Sequence, residues 1–544
     1  MSTVQIKFCC SLLNEHFGAI VQTVALFLMN EGSCPLSYIL RNVKESHSDI
    51  KNSLKILINH QFLNVSLNQH GFFEYKIDIN RVSLINRYPK YIYVAKLLSR
   101  LMWKLMGIIC FYNDYGEHII EELLKEGQLT MTSTIERVVS RLMSVLTEEE
   151  MKNCPKMVHD VFVKLAETRF IQRSIDVSQK SIDEQLKEPE ESNNGEGSSE
   201  KQFKIPKVNL SLIKTEVEDE CAPPTKKSKL ESTQPDVGIY WSVNVHRFHQ
   251  YLRDMTILEA VKTHYDDDKA VELARIVFRL TETKTHPLAV TTALVSKQDI
   301  CKVALKENVC SSANELDLYL RMFEDDVNYR FISKSEESAG GGMYVLNVLK
   351  AVEKILEFTL TSIVEDQCGS KMSRIFRLIL TKKYLQQKQI EETAMIPSKD
   401  CKELIYTLFK EGFVKTLQYP KQPDYAPSRT YFVFTVHLPD LCRNLIEKCY
   451  RALNNAIIRR THEHQQNKTL LERKVFIDAV IANLQLQGNS PDVEKQIDDL
   501  NQSFSTHDKE ILETIQKLTS KLELAECQID ETLFILQTWL SMNT

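Results

Sequence analysis

Residues 398–417 read SKDCKELIYTLFKEGFVKTL, a helical pattern that changes, within two residues of a glycine, into a strand-like run. Its apolar residues recur at offsets of 0, +4, +7, +12 and +13, and they are Cys401, Ile405, Leu408, Phe413 and Val414. The first three offsets bring side chains to one face of a helix, and the last two open a β-strand. The stretch therefore predicts a helix packed on a core and followed at once by a strand.

The same offsets recur elsewhere in the chain. Two other copies match in full, and their residues are Ile50, Leu54, Leu57, Phe62 and Leu63, and Val158, Phe162, Leu165, Phe170 and Ile171. A fourth copy supplies Leu316, Leu320 and Phe323, but its last two offsets fall on Asn328 and Tyr329. Three full copies and one weak copy predict an internal repeat.

Helical segments precede each copy, and two β-prone runs separated by a polar or glycine-rich turn follow it. LNVSL and FFEYKI come after Phe62, and VKTLQ and TYFVFTV come after Phe413. Three helices and a two-stranded hairpin form a winged helix, a relative of the helix-turn-helix. We therefore predict a mainly α protein with small β wings, built from four tandem winged-helix domains. Their expected limits are 1–82, 83–250, 251–352 and 353–438.

Residues 439–544 have a different pattern. Long helical segments are broken at QGNSPD, where Gly488 can end one helix and Ser490 or Pro491 can start the next. Beyond this break, apolar residues alternate at spacings of four and three, which is typical of a coiled-coil seam. The seam residues are Ile511, Ile515, Leu518, Leu522, Ala525 and Ile529. This region is predicted to form an antiparallel coiled-coil hairpin.

Two segments interrupt the second domain. Residues 92–112 place Lys96, Arg100 and Lys104 on one helix face, and three cations at this depth disfavour a membrane span. This basic amphipathic helix either packs on its neighbours or binds a partner or a lipid surface. Residues 177–236 are poor in aromatic side chains, which predicts a disordered insertion in the wing.

The insertion contains two short signals. PPTKKSKL includes Lys226, Lys227 and Lys229 and matches a nuclear-import signal, although such clusters also arise by chance. Ile213, Lys214 and Glu216 match the apolar-Lys-x-Glu pattern that small-modifier ligases recognise, and this pattern is frequent in proteins.

Composition and motifs disfavour several functional classes. The net charge of −5 argues against a protein whose main function is to bind nucleic acid by neutralising its phosphates. Thirteen cysteines include no C-x-x-C pair, which predicts reduced thiols in an intracellular compartment. The chain has no P-loop, nucleophile elbow or H-E-x-x-H motif, and its aspartate run at 266–268 and its histidine pairs lack further ligands. No catalytic residue, metal ligand or cofactor is predicted.

The third helix of a winged helix can enter a DNA groove, so its cations are candidate DNA contacts. In the first copy they are Lys51 and Lys55, with His60 nearby, and in the last copy they are Lys399, Lys402 and Lys410. Any exposed helix displays such cations, and Glu403 and Glu411 are interleaved with them in the last copy. The alternative is that these helices are surfaces for protein partners.

Four long tracts are more specific than any of these motifs: IKFCCSLLNEHFGAIVQTVALFLMNEGSCPL, RVSLINRYPKYIYVAK, YGEHIIEELLKEGQLTM and WSVNVHRFHQYLRD. They resemble the winged-helix third-largest subunit of DNA-directed RNA polymerase III, a family similar to the alpha subunit of general transcription factor IIE. The resemblance covers nearly the whole chain. It implies four extended winged-helix domains with a C-terminal coiled coil, and a nuclear, non-catalytic subunit. This subunit forms a detachable heterotrimer with two other polymerase III-specific subunits.

The resemblance also implies a place and a role for this subunit. Members of the family sit on the clamp of the largest subunit near upstream DNA, help to recruit initiation factors and help to open the promoter. Relatives have been linked to sensing foreign DNA. Since the polymerase supplies most of the affinity, weak DNA binding by the isolated chain is expected.

One tract departs from the family pattern. Members pass almost directly from the RYPKYIYVAK tract to the NDYGEHIIEELL tract, whereas this chain interposes LSRLMWKLMGIICFY, at about residues 98–112. These residues are either a lineage-specific insertion or an intron read as exon. Two other interpretations of the chain remain, a free-standing DNA-binding transcription regulator and a winged-helix scaffold of a ubiquitin-ligase or proteasome-lid assembly.

Overall fold

The computed structural model describes residues 2–68, 71–106, 114–142, 148–174, 238–326, 331–336, 342–420, 430–486 and 504–543, together with residues 203, 205, 206, 236, 497 and 500. Contacts divide the chain into two compact units. One comprises residues 12–355, and the other comprises residues 1–11 and 356–544.

The first winged helix follows the long helix α1 (Thr3–Phe17). Its elements are α2 (Ala19–Glu31), β1 (Cys34–Pro35), α3 (Leu36–Asn42), α4 (His47–Asn59), β2 (Leu63–Leu67) and β3 (Phe73–Ile77). The short helix α5 (Ile79–Ser83) and a 3₁₀ turn (Leu84–Arg87) lead to the second domain.

The second and third winged helices repeat this order. The second has α6 (Tyr88–Met106), α7 (Tyr115–Glu126), β4 (Leu129–Thr130), α8 (Met131–Leu142), α9 (Glu148–Glu167), β5 (Ile171–Arg173) and β6 (Tyr240–Val243). The third has α10 (Val245–Tyr265), α11 (Asp268–Thr281), β7 (Val295–Ser296), α12 (Lys297–Lys306), α13 (Ala313–Asp325), β8 (Ile332–Glu336) and β9 (Met343–Leu346).

The fourth winged helix and the C-terminal hairpin complete the chain. The domain has α14 (Val348–Cys368), α15 (Ser370–Lys382), α16 (Gln387–Ala394), α17 (Ser398–Lys410), β10 (Lys415–Pro420) and β11 (Thr430–Thr435). The hairpin has α18 (Leu438–Gln466), α19 (Lys468–Leu486) and α20 (Thr506–Asn543). The fold is therefore mainly α with small β wings, as predicted. The domain limits expected at 250 and 352 fall inside α10 and α14, so those limits stay a prediction.

The repeated apolar positions form the cores. All fifteen residues of the three full copies are buried. In the fourth copy, Leu316, Leu320 and Phe323 are buried, and Asn328 and Tyr329 lie outside the described residues. Phe331 and Ile332 form the buried pair instead, three residues later than expected. The weak copy is thus a complete one with a longer helix-to-strand connection.

The turn from helix to strand has the same backbone geometry in the three full copies. The residue before the phenylalanine is left-handed, with φ of 57° at Gln61, 63° at Arg169 and 81° at Gly412. The N–H of the following Phe62, Phe170 or Phe413 then donates to a carbonyl oxygen five residues back, at 2.9 Å. This hydrogen bond ends the third helix and starts the strand.

The wings have one more strand than the sequence predicts. Each of the first three sheets includes a two-residue strand from the connection between α2 and α3, α7 and α8, or α11 and α12. The strand orders are β1-β3-β2, β4-β6-β5 and β7-β9-β8. In the fourth domain a single bridge between Leu385 and Phe434 takes its place beside the β10-β11 pair. A strand of two residues is too short to show the alternation on which prediction depends.

A second repeated feature lies where each wing returns to its domain. Asp78, Asn244 and Asn347 follow the returning strand, and their N–H groups donate to the carbonyl oxygens of Phe62, Phe170 and Phe331 at 2.8–2.9 Å. The side chains of Asp78 and Asn244 also cap the next helix. The first and second wings are therefore tied both to the phenylalanine that follows their third helix and to the next helix.

The register shows how much the second wing is enlarged. Leu63 pairs with Ile77 and Ile332 pairs with Leu346, 14 residues apart in both cases, whereas Ile171 pairs with Val243, 72 residues later. The insertion therefore lies between two strands that pair as in the other wings.

The hairpin is antiparallel. Tyr450 accepts a hydrogen bond from Gln537 at 2.8 Å, and the Arg460 guanidinium lies 3.3 Å from Glu526, so residue numbers fall along α20 as they rise along α18. The start of α1 joins this pair, because Ser11 donates to Asn454 at 2.8 Å and the Phe8 ring lies 5.3 Å from that of Tyr450.

Asn244→Ala tests the connection between the second wing and α10. The change removes both the cap on the Arg247 N–H and the hydrogen bond from Asn244 Nδ2 to the Arg169 carbonyl oxygen, at 2.9 Å. We expect the free energy of local opening to fall by about 1–2 kcal/mol. Amide hydrogen exchange at the start of α10 should therefore be about 5- to 30-fold faster. Asn244→Asp keeps the cap acceptor and should give a smaller effect. Wild-type exchange in the alanine variant would contradict the assignment.

Candidate nucleic-acid interface

The lysines predicted to contact DNA are on the outer faces of the third helices. Lys51 and Lys55 are exposed on α4, opposite the buried Ile50, Leu54 and Leu57. The three lysines of the last copy are likewise exposed on α17: Lys399, Lys402 and Lys410. The structure thus leaves these ammonium groups accessible to a partner, and their role in DNA contact stays a prediction.

Helix α17 has an unusual outer face. Tyr406 is 66% exposed and Phe409 is 46% exposed, between Lys402 and Lys410. Large exposed aromatic side chains are typical of protein interfaces. In addition, Glu403 is exposed on the same helix. This face therefore combines apolar, acidic and basic groups, which favours a protein partner over groove reading.

Exposed apolar side chains also occur on two wings. Near the first wing tip they are Leu67, Phe72 and Phe73. On the fourth wing they are Leu417, Tyr419, Tyr431 and Phe432. An antiparallel hairpin with one solvated face normally carries polar residues there. The wings are thus further candidate surfaces for protein contact.

The C-terminal end of α4 packs against the second winged helix. Gln61 Nε2 donates to the Ser174 hydroxyl at 3.0 Å and to the Ser242 hydroxyl at 3.4 Å, and Gln61 Oε1 accepts from Arg81 at 2.6 Å. Because the Gln61 amide bridges both domains, this end of the third helix is part of an internal junction.

Gly127 brings the two backbones together at this junction. A Cβ atom at Gly127 would lie 2.4 Å from the Asn59 carbonyl oxygen and 2.8 Å from the His60 Cα. The residue also has a φ of +81° at the end of α7. Glycine is therefore required both by the close approach and by the left-handed backbone.

His60 was a candidate cation, but its surroundings keep it neutral. Its ring stacks on Phe62 at 5.5 Å and meets the edge of Phe17 at 4.8 Å. Burial lowers the pKa of His60 to about 4, and the nearby Glu126 carboxylate offsets this only in part. At neutral pH His60 is thus a core side chain of the junction rather than a phosphate contact.

The junction has no room for a sizeable ligand. It contains a partly open pocket of about 30 Å³ lined by residues that include His60, Arg81, Leu123 and Ser242, a volume that suits about one or two water molecules. Among the described residues, no group of His, Cys, Asp and Glu side chains converges as metal ligands would.

The two predicted interruptions of the second domain are only partly described. Lys96 on α6 lies 3.2 Å from Asp114 and 2.7 Å from Glu117 of the α7 region, so this part of the basic face is packed on a neighbour. None of the described helices is both long and apolar enough to cross a bilayer. Residues 107–113 lie outside the described part of the chain.

A few residues of the wing insertion pack against the second domain. The prediction that residues 177–236 are disordered did not anticipate these contacts. The Arg169 guanidinium lies 5.2 Å from the centre of the Phe203 ring, and Ile205 packs against the core. Asp236 is buried and accepts hydrogen bonds from the Thr132 N–H and hydroxyl. The lysines of the import signal (Lys226, Lys227, Lys229) and the Ile213–Glu216 motif lie outside the described residues.

The predicted coiled-coil seam lies on α20. Ile515 is buried, and Ile511, Leu518, Leu522, Ala525 and Ile529 are half-buried. The most buried stretch comes later and includes Leu533, Leu536 and Trp539. The seam thus continues towards the part of α20 that meets the start of α18.

Comparisons with known proteins were consistent along the chain. Family models match residues 7–68 (RNA polymerase III subunit RPC82 helix-turn-helix domain), 160–355 (RNA polymerase III subunit RPC82), 360–436 (POLR3C, C-terminal winged-helix domain) and 469–535 (DNA-directed RNA polymerase III subunit RPC3, helical hairpin domain). Similar relatives are named DNA-directed RNA polymerase III subunit RPC3. Those of Bos taurus and Homo sapiens are 35% identical, and that of Danio rerio is 34% identical, each over 99% of both chains.

Gly127→Ala tests the close approach at the junction. The alanine is strained by the left-handed backbone, by about 1–2 kcal/mol, and its Cβ also collides with the Asn59 carbonyl. Gly18→Ala is the matched control, because Gly18 has a φ of +89° and no atom lies within 4 Å of the position that a methyl group would take there. We expect Gly127→Ala to lower the melting temperature by about 4 °C more than the control does. Equal shifts in calorimetry would show that the domains do not depend on this contact.

His60→Phe tests the neutral histidine. The folded pKa of about 4 lies below that of an exposed histidine, so the unfolded chain binds the proton first as the pH falls. Above about pH 6.5 the titration of His60 therefore leaves the free energy of unfolding unchanged. Below that pH the free energy of unfolding falls as the pH falls towards 4, by about 2 kcal/mol at pH 5. The melting temperature of the phenylalanine variant should depend less on pH between pH 7.5 and pH 5. Parallel pH profiles for both proteins would rule out His60 as the cause.

Proposed function

The chain belongs to the family of DNA-directed RNA polymerase III subunit RPC3, and from this membership we propose that it is a non-catalytic polymerase III subunit acting in the nucleus. In the proposed assembly it forms a detachable heterotrimer with two other polymerase III-specific subunits and docks on the clamp of the largest subunit. There it supports initiation-factor recruitment and promoter opening at genes for small untranslated RNAs. A role in sensing foreign DNA is part of the same proposal.

The observation that carries the proposal is the apolar character of exposed surfaces in the fourth winged helix. Tyr406 and Phe409 lie on α17, and Tyr419 and Tyr431 lie opposite each other on the wing. Exposed apolar surface that is concentrated on one element is a common mark of a protein-interaction site. Such surfaces support a subunit positioned by protein contacts, for which weak DNA binding by the isolated chain suffices.

The rival is a free-standing DNA-binding regulator. It requires third helices that are free along their length and carry groups able to read base edges. His60 and Gln61, at the end of α4, are engaged in the domain junction, and the outer face of α17 carries two aromatic side chains. These features favour the polymerase subunit.

Affinity purification of the tagged full-length chain from nuclear extract, followed by native mass spectrometry, tests the assembly. We expect the chain to retain the polymerase III core and two smaller specific subunits at moderate salt. Recovery of the chain alone, together with tight and sequence-dependent DNA binding, would support the regulator instead.

The double variant Tyr406→Ala/Phe409→Ala tests the proposed docking face in the same purification. Because both side chains are largely exposed, the variant should keep the wild-type melting temperature while retaining several-fold less polymerase. The matched control is Phe358→Ala, which removes an aromatic side chain that is 75% exposed on α14. Equal losses in both variants, or no loss in either, would contradict a docking role for this face.

A further inference from the structure

Helix α15 carries a concentrated positive charge; it is the first of the three helices α15, α16 and α17 that follow α14 in the fourth winged helix. From Ser370 to Ile390 the sequence SKMSRIFRLILTKKYLQQKQI contains six cations and no carboxylate, in a chain with a net charge of −5. Three of the cations, Lys371, Arg374 and Arg377, are exposed and follow one another at steps of three residues on α15. Such steps keep the side chains within a sector of about 120°. We call these three residues the basic face.

The opposite side of α15 explains why the cations face solvent. Ser373, Ile375, Phe376 and Ile379 are all buried in the core of the domain. The positive charge continues past the end of the helix, where Lys382, Lys383 and Lys388 are exposed. Tyr384 lies among them with more than half of its surface exposed.

The equivalent helices of the other domains show that this charge is not a requirement of the fold. Helix α2 of the first domain contains no cation, and α7 of the second carries Glu117, Glu121 and Glu122. Helix α11 of the third domain has three cations, and each is in an ion pair. The pairs are Lys269 with Glu315 at 2.6 Å, Arg275 with Glu272 at 2.5 Å and Arg279 with Glu307 at 2.6 Å.

The basic face differs because its cations are not neutralised within the described part of the chain. No described carboxylate lies within ion-pair distance of Lys371, Arg374 or Arg377, although Glu365 and Asp366 are close in sequence at the end of α14. Like charges at neighbouring helix positions repel one another. The arrangement therefore has a cost in the free chain that an anionic partner would remove.

Several features favour a nucleic acid as that partner. The chain belongs to a family of subunits of a DNA-directed polymerase. Arginine presents a planar fork that suits phosphate oxygens, and the exposed tyrosine adds an aromatic platform beside the cations. Along the helix the three cations span about 9 Å, so a short stretch of the phosphodiester backbone can contact all three.

We propose that the basic face of α15 binds the phosphodiester backbone of DNA, so that the fourth winged helix contacts DNA through its first helix rather than its third. The inference rests on the proposed function for the identity of the anion. Helix α17 is then free to present Tyr406 and Phe409 to a protein. Within one domain, α15 would bind DNA and α17 would bind a protein partner.

The test measures binding of the full-length chain to a fluorescent 30-base-pair duplex of arbitrary sequence, at a series of salt concentrations. Arg374→Glu/Arg377→Glu should weaken binding at least about tenfold at low salt and reduce the slope of log K against log salt by about 2. The matched control is Lys399→Glu/Lys402→Glu on α17, with the same change in net charge, and it should change affinity by less than about threefold. A single strand of the same length shows which form of DNA supplies the phosphates.

Three outcomes would overturn the proposal. They are unchanged binding by the arginine variant, equal losses in the two variants, and a loss of polymerase retention with unchanged DNA binding, which would identify an acidic protein partner. Arg374→Lys/Arg377→Lys should retain the salt slope, and circular dichroism shows whether each variant is folded. The DNA assay uses the isolated chain, so failure of wild-type protein to retain polymerase would count against the proposed function alone.

Discussion

The hydrogen bond from a buried phenylalanine back into the preceding helix is the constraint on which the winged helices depend. At Phe62, Phe170 and Phe413 it has the same length, 2.9 Å, and each follows a residue in the left-handed region. Holding a non-glycine residue there costs about 1–2 kcal/mol, whereas burying a phenylalanine contributes about 1.5–3 kcal/mol. Burial therefore decides the balance, and Gln61 and Arg169 are held in a conformation that Gly412 adopts freely.

The consequences of this turn extend to the next domain. The phenylalanine carbonyl accepts the N–H of the residue that ends the wing, which is Asp78 in the first domain and Asn244 in the second. The same residues cap the following helix, so α5 and α10 begin where the wing ends. A winged helix built in this way fixes the direction in which the chain leaves it, which explains why α10 runs on from the second wing into the third domain without a flexible linker.

The sequence predicts those parts of the fold that depend on periodicity. The offsets of 0, +4, +7, +12 and +13 identify the third helix and the first wing strand, because a helix face and a buried pair both leave a regular apolar signal. In the third domain the offsets identify the third helix but not the buried pair that follows it, because Phe331 and Ile332 come three residues later than the offsets require. Two-residue strands and Asx caps have no period, although the recurring apolar-Asx-apolar triplets at Asp78, Asn244 and Asn347 were a signal in the sequence.

The candidate site is less predictable because a sequence shows which side chains are charged but not what surrounds them. His60 looks like one more cation of α4, yet aromatic rings and burial keep it neutral. Conversely, α11 and α15 each carry three cations, and the sequence shows only that Glu272 lies three residues before Arg275 on α11. The structure adds that Glu315 and Glu307, from other elements, pair with Lys269 and Arg279. Ion pairing between distant helices therefore decides which positive charges are available to a partner.

The C-terminal hairpin shows the same principle in a coiled coil. A seam of leucine and isoleucine alone allows two helices to slip by a heptad, whereas polar groups within the interface disfavour the shifted registers. Glu526 is buried on α20 and forms an ion pair with Arg460 of α18. About three turns further along α20, Gln537 donates a hydrogen bond to the Tyr450 hydroxyl of α18. Displacing these pairs would leave the buried Glu526 carboxylate without its cation, which is unfavourable in a low-dielectric interface. The register is thus fixed by the polar contacts of α18 and α20, while α19 leaves Val475 and Phe476 more than two-thirds exposed. Apolar side chains that the hairpin does not need for its own register are therefore available to a protein partner.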